Sequence, residues 1–414
     1  MSPQTEGPIQ SESTEHETVS ADESSVGTKM GNKEQVTNTL LSQRRRTLLK
    51  SFAAASASGS LLGTFSNVAS AKRNNNSSPK NDGPMRFIFD SDMGPDVDDA
   101  GAAAVLHTLA DARAVKPPHG PAHWRKYNWP VKILGMMCSS SGFSGVWGPP
   151  CFDAINTYYK HTNIPIGTRY LDEPNAEGPF SSDYNKQVAQ NFPQNLGTTE
   201  DEILQNVSGA VDLYREILSI QPDNSVTVVS VGFLSNLQNL LNSESDEHSS
   251  LNGVELVDRK VNSLVVMGGE FPCSDVPEFN LNADRQATER VSKDWPSEIV
   301  YSGFDIGIKV TTGRVLRRTP QSNPVRGAYA YYYDGRAKDR FSWDLTAVQY
   351  AIERAGNLWE LGPDGHLVWY EETGNNCWST CDPRTDNYIE FNKTDKAVEE
   401  YYNTLLTYIP PGCG

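Results

Sequence analysis

The sequence predicts an α/β protein with a mostly parallel, Rossmann-like central sheet that is flanked by helices. From residue 86 onwards, short β-branched or apolar runs alternate with longer amphipathic ones. The runs 226–229 (VTVV) and 264–267 (LVVM) are continuously apolar, as expected of strands that are covered on both faces. This alternation favours parallel pairing, and the ligands of such sheets bind beyond the carboxyl ends of the strands.

The individual elements are predicted from the same runs. Strands are expected at 86–90, 131–138, 225–231, 261–267 and 299–301. Helices are expected at 98–112, 150–160, 199–220, 234–242 and 284–294. The first helix begins with two aspartates, where negative charge is favoured, and the third begins with a capping box, TEDE. A hairpin from about residue 362 and a last helix at 393–409 complete the domain.

An N-terminal region precedes the folded domain, which is expected at 86–414. Residues 1–43 are rich in Ser, Thr, Glu and Gln and predict a disordered region. Residues 44–71 resemble a twin-arginine export signal, with the basic run RRRTLLK, a weakly apolar stretch of small residues and the cleavage pattern ASA. A basic linker before a buried helix is the alternative. With a tether at 72–85, we expect an exported, extracellular or cell-envelope protein without stable membrane insertion.

The net charge and the cysteine content limit the binding partners and the covalent links that we expect. A formal net charge of -16 disfavours a nucleic-acid polymer, because the polymer is also negatively charged. An even number of cysteines in an exported chain permits disulfides. Cys377 and Cys381 are close enough in sequence to pair with each other or to share a metal, and the pairing of the 6 cysteines stays open.

The segment that carries the chemistry is the acidic run at 90–99 (DSDMGPDVDD), which follows the first predicted strand. Its carboxylates repel one another in a folded loop unless a cation lies among them. Carboxylate oxygens are hard ligands that suit Ca²⁺ or Mg²⁺. The sequence therefore predicts a divalent-metal site at the end of this strand.

Three alternatives start from the same residues. A solvated acidic loop with helix-capping aspartates is the simplest. An EF-hand also begins with Asp-x-Asp, but the run lacks the Gly and the Glu that this loop needs at its sixth and twelfth positions. A Mg²⁺ phosphohydrolase of the haloacid dehalogenase type begins similarly, although Met93-Gly94-Pro95 departs from its pattern.

Five segments, in order, resemble the inosine/uridine-preferring nucleoside hydrolases. They are DSDMGPDVDDA at 90–100, SVGFLSN at 230–236, VVMGG at 265–269, EFN at 278–280 and WDLTA at 343–347. Members of this family use calcium to cleave the N-glycosidic bond of ribonucleosides. The resemblance spans nearly the whole domain, and it implies the nucleoside hydrolase fold and a small-molecule nucleoside substrate.

The resemblance also implies a metal and base assignment. Asp92 is expected to be a calcium ligand and the base that deprotonates the attacking water. The other calcium ligands are expected to be Asp99, the main-chain carbonyl of Val231 and Asp344. Such an ion lowers the pKa of bound water and anchors the sugar, while carboxylates stabilise an oxocarbenium-like transition state.

The expected ribose-binding residues are Asp98, Glu278 and Asn280. The acidic turn is two residues longer than the common form in the family, and the addition includes Asp96. The sequence therefore leaves the roles of Asp96 and Asp98 partly exchangeable.

The largest departure from the family is Trp343, which stands where many members carry a His that protonates the leaving base. A Trp side chain has no titrating proton, so general-acid catalysis by this residue is excluded. Purine-preferring members also carry Trp here, and it stacks on the base. Trp147, expected in the loop after the second strand, is either a second stacking partner or a packing residue. The tyrosines at 329 and 331–333 receive no role.

The function predicted from these residues is calcium-dependent hydrolysis of ribonucleosides, with a preference for purines. Three alternatives stay open. The first is N-riboside hydrolysis of a different substrate. The second is a calcium-stabilised nucleoside- or sugar-binding protein that has lost turnover, and the third is the Mg²⁺ phosphohydrolase. The sequence also leaves open whether the chain forms a homo-oligomer.

Overall fold

The computed structural model describes residues 83–114, 130–173, 182–381 and 384–413, all of which lie in the unit Ser77–Gly414. The predicted N-terminal region and export signal, and nearly all of the tether, lie outside the described residues. Within the described ranges, no helix is both long enough and apolar enough to cross a membrane.

A nine-stranded sheet, counted over the described residues, forms the centre of the fold. The strands, in chain order, are β1 Met85–Ser91, β2 Val131–Cys138, β3 Ile166–Thr168, β4 Ser208–Gly209, β5 Val226–Ser230, β6 Val261–Met267, β7 Glu298–Ser302, β8 Thr311–Thr312, β9 Arg340–Phe341, β10 Trp359–Leu361, β11 His366–Tyr370, β12 Asn375–Ser379 and β13 Asn387–Phe391. The large sheet has the order β10-β13-β7-β6-β5-β1-β2-β3-β4, and its neighbours are parallel except for β10 and β13. The predicted mostly parallel sheet is therefore confirmed.

Helices fill most of the connections between the strands. They are α1 Asp98–Ala114, α2 Gly142–Tyr158, α3 Arg169–Asp172, α4 Tyr184–Asn191, α5 Glu200–Asn206, α6 Ala210–Ser219, α7 Ser235–Asn242, α8 Gly253–Lys260, α9 Phe279–Ala283, α10 Arg285–Asp294, α11 Phe304–Gly307, α12 Pro324–Tyr332, α13 Trp343–Glu353 and α14 Asp395–Leu406. A 3₁₀ helix covers Arg314–Arg318. The predicted hairpin is β11 and β12, and the predicted last helix is α14.

The sheet separates two apolar cores, because successive side chains of a strand point to opposite faces. Along β1, Phe87 and Phe89 belong to one core and Ile88 to the other. The first core also contains residues of α1, α2, α13 and α14, whereas the second contains residues of α6, α7, α8 and α10. Both faces are therefore covered, which explains why the central strands are continuously apolar.

The strand order reverses beside β1. The chain proceeds from β1 to β2, β3 and β4 on one side, and then returns to place β5, β6 and β7 on the other side. In a parallel sheet, this arrangement opens a crevice at the carboxyl ends of the two strands that flank the reversal, here β1 and β5. Asp92 follows β1 and Val231 follows β5, so the fold places both residues at this crevice.

The helix predicted at 150–160 was placed too late, since α2 begins at Gly142 and contains Pro149 and Pro150. A proline inside a helix costs about 3 kcal/mol, partly because it has no N–H for the carbonyl four residues earlier. The carbonyl left without its partner by Pro149 is that of Gly145, which accepts a hydrogen bond from Thr168 Oγ1 at 2.7 Å. A neighbouring element thus replaces the missing donor, and the sequence pattern gave no sign of it.

The single helix predicted at 199–220 was wrong, because α5 and α6 are separated by β4. The capping box that begins α5 is confirmed between Thr199 and Glu202. At Gly209, an added Cβ would lie 2.6 Å from Asp172 Oδ1, so a larger residue would require the Asp172 side chain to shift. Ser208 and Gly209 pair with β3 as a short parallel strand, so the helix that ends at Asn206 does not continue through them.

One disulfide is present among the described residues. It joins Cys273, in the loop after β6, to Cys377 in β12, with a sequence separation of 104 residues. Cys381 is exposed and free, so it does not pair with Cys377. The bond ties the loop that leads to α9 to the hairpin β11–β12.

Removal of this disulfide should destabilise the fold, because it closes a long loop and restricts the unfolded chain. We expect the double substitution Cys273→Ser/Cys377→Ser to lower the free energy of unfolding by about 2–4 kcal/mol. Urea denaturation measures the change. Cys381→Ser is the matched control and should change the value by less than about 0.5 kcal/mol. Equal stability of the double variant and the control would contradict the prediction.

Candidate active site

The crevice beside β1 opens into a cavity of about 370 Å³. Every residue that the sequence predicts for the site lines it. The lining consists of Asp92, Pro95, Asp96, Asp98, Asp99, Val231, Met267, Glu278, Phe279, Asn280, Phe304, Tyr332, Arg340, Trp343 and Asp344. The structure thus brings together residues from both ends of the domain. Their individual roles stay predictions.

A group of buried aspartates forms the floor of this cavity. One carboxylate oxygen from each of Asp98, Asp99 and Asp344 lies within 4.8 Å of the others. Asp92 contacts Asp99, and burial followed by the charge of Asp99 raises the pKa of Asp92 well above its usual value. Burial and neighbouring carboxylates likewise raise the pKa of Asp98 and of Asp344. These four residues, at most 5% exposed, are the carboxylate floor.

The turn between β1 and α1 holds Asp92 and Asp99 together. Ser91 Oγ donates a hydrogen bond to Asp99 Oδ1 at 2.5 Å, and the backbone N–H of Met93 donates to the same oxygen at 3.1 Å. Met93 has a φ of 39°, a conformation that is unfavourable for a non-glycine residue. Asn185 Nδ2 donates to the carbonyl of Met93 at 2.9 Å, which helps to hold this residue in place.

Asp344 reaches the floor from the first turn of α13, far along the chain. Its backbone N–H donates a hydrogen bond to Asp98 Oδ2 at 3.1 Å. The beginnings of α1 and α13 therefore meet, and each contributes a carboxylate. The sequence assigned Asp98 to the ribose, but its position beside Asp99 and Asp344 also makes it a candidate metal ligand.

Asp90 supports the floor from the interior of the sheet and does not line the cavity. Tyr214 Oη donates to its carboxylate at 2.8 Å, and Asn236 Nδ2 donates at 3.1 Å. Burial raises the pKa of Asp90 to about 7, against the lowering effect of these hydrogen bonds. Asn236 belongs to the segment SVGFLSN, so this segment contributes a hydrogen bond that holds the Asp90 side chain of β1.

The end of β5 comes very close to Asp92, and a glycine makes this approach feasible. A Cβ at Gly232 would lie 2.4 Å from the backbone nitrogen of Asp92. The preceding residue, Val231, lines the cavity, and its carbonyl accepts a hydrogen bond from Asn280 Nδ2 at 3.0 Å. The amide of Asn280 therefore holds the carbonyl that the sequence proposes as a metal ligand.

Glu278 is fixed by the backbone around it. Its carboxylate accepts hydrogen bonds from the N–H groups of Gly269 at 3.1 Å, Asn280 at 3.0 Å and Leu281 at 3.0 Å. It is the N-cap of α9, and burial raises its pKa despite these bonds. The segments VVMGG and EFN thus form one structural unit on the cavity wall.

Asp96, the acid added by the longer turn, is separate from the carboxylate floor. Arg340 Nε donates to Asp96 Oδ1 at 2.7 Å, and Arg340 Nη2 donates to Asp96 Oδ2. This pairing distinguishes the two acids that the sequence left exchangeable, because Asp98 lies in the floor and Asp96 lies at the rim. Arg340 was not predicted from the sequence, because no local pattern connects residues this far apart.

Three aromatic side chains, Phe304, Tyr332 and Trp343, form the aromatic wall of the cavity. The Trp343 ring stacks on Phe304 with ring centroids 5.4 Å apart, and its Nε1 donates to the Phe304 carbonyl at 3.0 Å. Tyr332 lines the same cavity, although no role was predicted for it. Trp147 does not take part, because it is buried in α2 rather than in a loop, and Lys186 Nζ lies 4.8 Å from its ring.

Comparison with known proteins gives matches in structure alone. No protein-family model matches the chain, and no curated protein matches it. An inosine-uridine preferring nucleoside hydrolase from Bacillus anthracis matches over 78% of this chain and 99% of its own, with 16% identity and a TM-score of 0.54. A purine-preferring ribonucleoside hydrolase from Gardnerella vaginalis matches over 78% and 98%, with 15% identity and a TM-score of 0.52. The chain has the nucleoside hydrolase fold.

The same fold occurs in a protein of a different kind. The type III effector protein XopQ, solved in complex with adenosine diphosphate ribose, matches over 79% of this chain and 93% of its own, with 11% identity and a TM-score of 0.50. All these identities are low. The nucleoside hydrolase fold is therefore established, whereas the chemistry of this chain has to be argued from its own residues.

The carboxylate floor fits a divalent cation. Arg340 is the only cationic residue among the described lining residues, and its guanidinium is bound to Asp96, so it compensates the four buried carboxylates only in part. Carboxylate oxygens and the Val231 carbonyl are the ligands that Ca²⁺ and Mg²⁺ prefer. Asp92, Asp98, Asp99, Asp344 and this carbonyl are the candidate ligands.

The stability of the metal-free protein should fall as the pH rises. Burial raises the pKa of Asp99 to about 6 and that of Asp90 to about 7, above the value of 3.8 for an unperturbed aspartate. An acid with a raised pKa stabilises the fold fully below its unfolded-state pKa, and this contribution is lost as the pH passes its folded-state pKa. In a chelator, we expect the melting temperature to fall by several degrees between about pH 5 and pH 8.

Differential scanning fluorimetry in EDTA and in calcium chloride measures this change. Calcium should remove most of the fall, because it favours the charged carboxylates of the floor. A melting temperature in EDTA that is constant or rises over this interval would be evidence against the buried-charge account.

Proposed function

We propose that this protein is an enzyme that hydrolyses the N-glycosidic bond of ribonucleosides with a divalent metal ion and releases ribose and the free base. The observation that carries the proposal is the pairing of the carboxylate floor with an aromatic wall in one cavity. A ribonucleoside has a polyhydroxylated sugar and a flat aromatic base, and this cavity offers a matching surface to each. The nucleoside hydrolase fold supports the same function.

Asp92 is the residue best placed to act as general base. When bound at the floor, a divalent cation lowers the pKa of a water molecule and anchors sugar oxygens. The Asp92 side chain lines the cavity, and the Ser140 hydroxyl donates to its backbone carbonyl at 2.9 Å, which helps to hold the residue in place. Asp92 takes the proton of the attacking water as the oxygen approaches C1′ of the ribose.

The other cavity residues hold the substrate. Asn280 and Glu278 are fixed by hydrogen bonds in the cavity lining, where they would orient the ribose hydroxyls. Trp343 would contact the base, to which its indole ring offers a stacking surface. Since Trp343 is held by Phe304 on one side, the base can stack without ordering the indole first.

The finer parts of the proposal are calcium as the metal and a purine as the base. Calcium accepts six to eight oxygen ligands in irregular geometry, which suits carboxylates contributed by two helices and a turn. A broad aromatic wall gives a two-ring purine more contact than a pyrimidine. Each part can fail independently of the glycosidic activity itself.

The decisive test measures ribose release from inosine, guanosine, adenosine and uridine, with and without a chelator. We expect hydrolysis that EDTA abolishes and that calcium restores better than magnesium, with purine nucleosides cleaved faster than uridine. No hydrolysis across the panel, together with metal-dependent nucleoside binding, would favour the binding protein. Phosphate release from phosphate esters would favour the phosphohydrolase.

Asp92→Asn tests the base in the same assay. The amide keeps the shape of the side chain but cannot accept the proton, so we expect the rate to fall by at least about 100-fold with little change in melting temperature. Asp212→Asn is the matched control, since Asp212 is an exposed partner of His248 outside the cavity, and it should retain the full rate. A variant at Asp92 that retained most of the rate would refute this assignment.

Export by the twin-arginine route is a separate proposal, carried by the sequence at 44–71. Substitution of Arg44 and Arg45 by Lys should retain the protein inside producing cells, because the paired arginines are the recognised feature of such signals. Cell fractionation measures the distribution. Unchanged export of the substituted chain would contradict the proposal.

A further inference from the structure

Arg340 occupies a position in the cavity that the proposed chemistry has not used. It lies in β9, three positions before Trp343 in α13, and its side chain lines the cavity beside the Trp343 ring. Its carboxylate partner, Asp96, is the acid added by the longer turn. The cation and its partner therefore form a pair at the cavity rim.

The guanidinium of Arg340 is held in one orientation. Asp96 binds it through Nε and Nη2, and its central carbon lies 5.3 Å from the centroid of the Trp343 ring and 5.8 Å from that of Tyr332. Burial lowers its pKa, but the hydrogen bonds and charge of Asp96 outweigh this and raise the pKa above its usual value. Arg340 therefore stays charged and acts as a hydrogen-bond donor rather than as an acid.

Part of this donor capacity is free for a ligand. A guanidinium carries five N–H donors, arranged as two forks. Asp96 occupies the fork made by Nε and Nη2, and Nη1 has no acceptor within the part of the chain that the structure describes. The second fork consists of an N–H of Nη1 and the N–H of Nη2 that does not bind Asp96. It is therefore available to donate hydrogen bonds to a ligand beside the aromatic wall.

We propose that Arg340 binds the leaving base through this second fork and selects 6-oxopurine nucleosides, such as inosine, over adenosine. The inference rests on the proposed glycosidic activity. A 6-oxopurine presents O6 and N7 as adjacent acceptors that match a guanidinium fork. Adenine presents an amino donor at C6, which faces the guanidinium donors unfavourably.

Arg340 also stabilises the charge that forms on the base. As water attacks C1′, the C1′–N9 bond breaks and its electron pair moves to the base, while Asp92 takes the proton of the water. The positively charged guanidinium of Arg340, which donates hydrogen bonds to O6 and N7, stabilises the negative charge on the base until the base takes a proton from solvent. A phosphate group is a less favourable ligand for Arg340, since Asp96 and the carboxylate floor repel a dianion.

The test compares kcat/KM for inosine and adenosine in calcium-containing buffer. For Arg340→Ala, we expect kcat/KM for inosine to fall about 10- to 100-fold and the inosine-to-adenosine ratio to fall at least about tenfold. Arg340→Lys keeps the charge opposite Asp96 but lacks the fork, so the ratio should fall there too. Arg314→Ala is the matched control, since Arg314 is an exposed partner of Asp339. Equal losses for both nucleosides would overturn the inference.

Calorimetric titration with hypoxanthine and adenine separates this inference from the proposed function. Tighter binding of hypoxanthine that is lost in Arg340→Ala supports the base assignment, even if no nucleoside is hydrolysed and the proposed function fails. Equal affinity of the unsubstituted protein for the two bases overturns the assignment, whether or not nucleosides are cleaved. Tighter binding of adenosine diphosphate ribose than of inosine, with dependence on Arg340, would overturn it in favour of a phosphate ligand.

Discussion

Repulsion among buried carboxylates is the constraint on which the site depends. Asp92 comes from the turn after β1, Asp98 and Asp99 from the start of α1 and Asp344 from α13, and all four are almost completely removed from solvent. Burial of like charges at such distances is unfavourable unless a cation compensates them. Two features hold the four aspartates at the strand reversal, where the sheet opens. They are the positive φ of Met93 and the close approach of Gly232, after β5, to the backbone of Asp92.

Those parts of the site that depend on short sequence patterns could be predicted. Asp92 and Asp99 follow directly from an acidic run after an apolar strand, and the continuously apolar strands predict a sheet covered on both faces. The positions of Val231, Glu278 and Asp344 could not come from spacing alone. They were found because five segments occur in the order of a known family, and each of these segments contributes at least one residue to the cavity lining.

The remaining features depend on contacts between distant residues. The pairing of Asp96 with Arg340 spans 244 residues, and the disulfide spans 104, so neither produces a local pattern. The two prolines inside α2 predicted a later helix start, because the Thr168 hydroxyl that replaces a lost donor belongs to another element. Contacts of this kind also distinguish Asp98, which lies in the carboxylate floor, from Asp96, which lies at the cavity rim and pairs with Arg340.

The hydrogen bond between the Asp344 N–H and Asp98 has a consequence for synthesis of the chain. The two residues are 246 positions apart, so the ribosome produces the acidic turn long before its partner. At a typical rate of about 5–20 residues per second, this interval is roughly 10–50 s. During that time the nascent turn has no second carboxylate-bearing helix beside it, and its charges can stay hydrated. The carboxylate floor is therefore completed only after Asp344 has been synthesised and has reached Asp98.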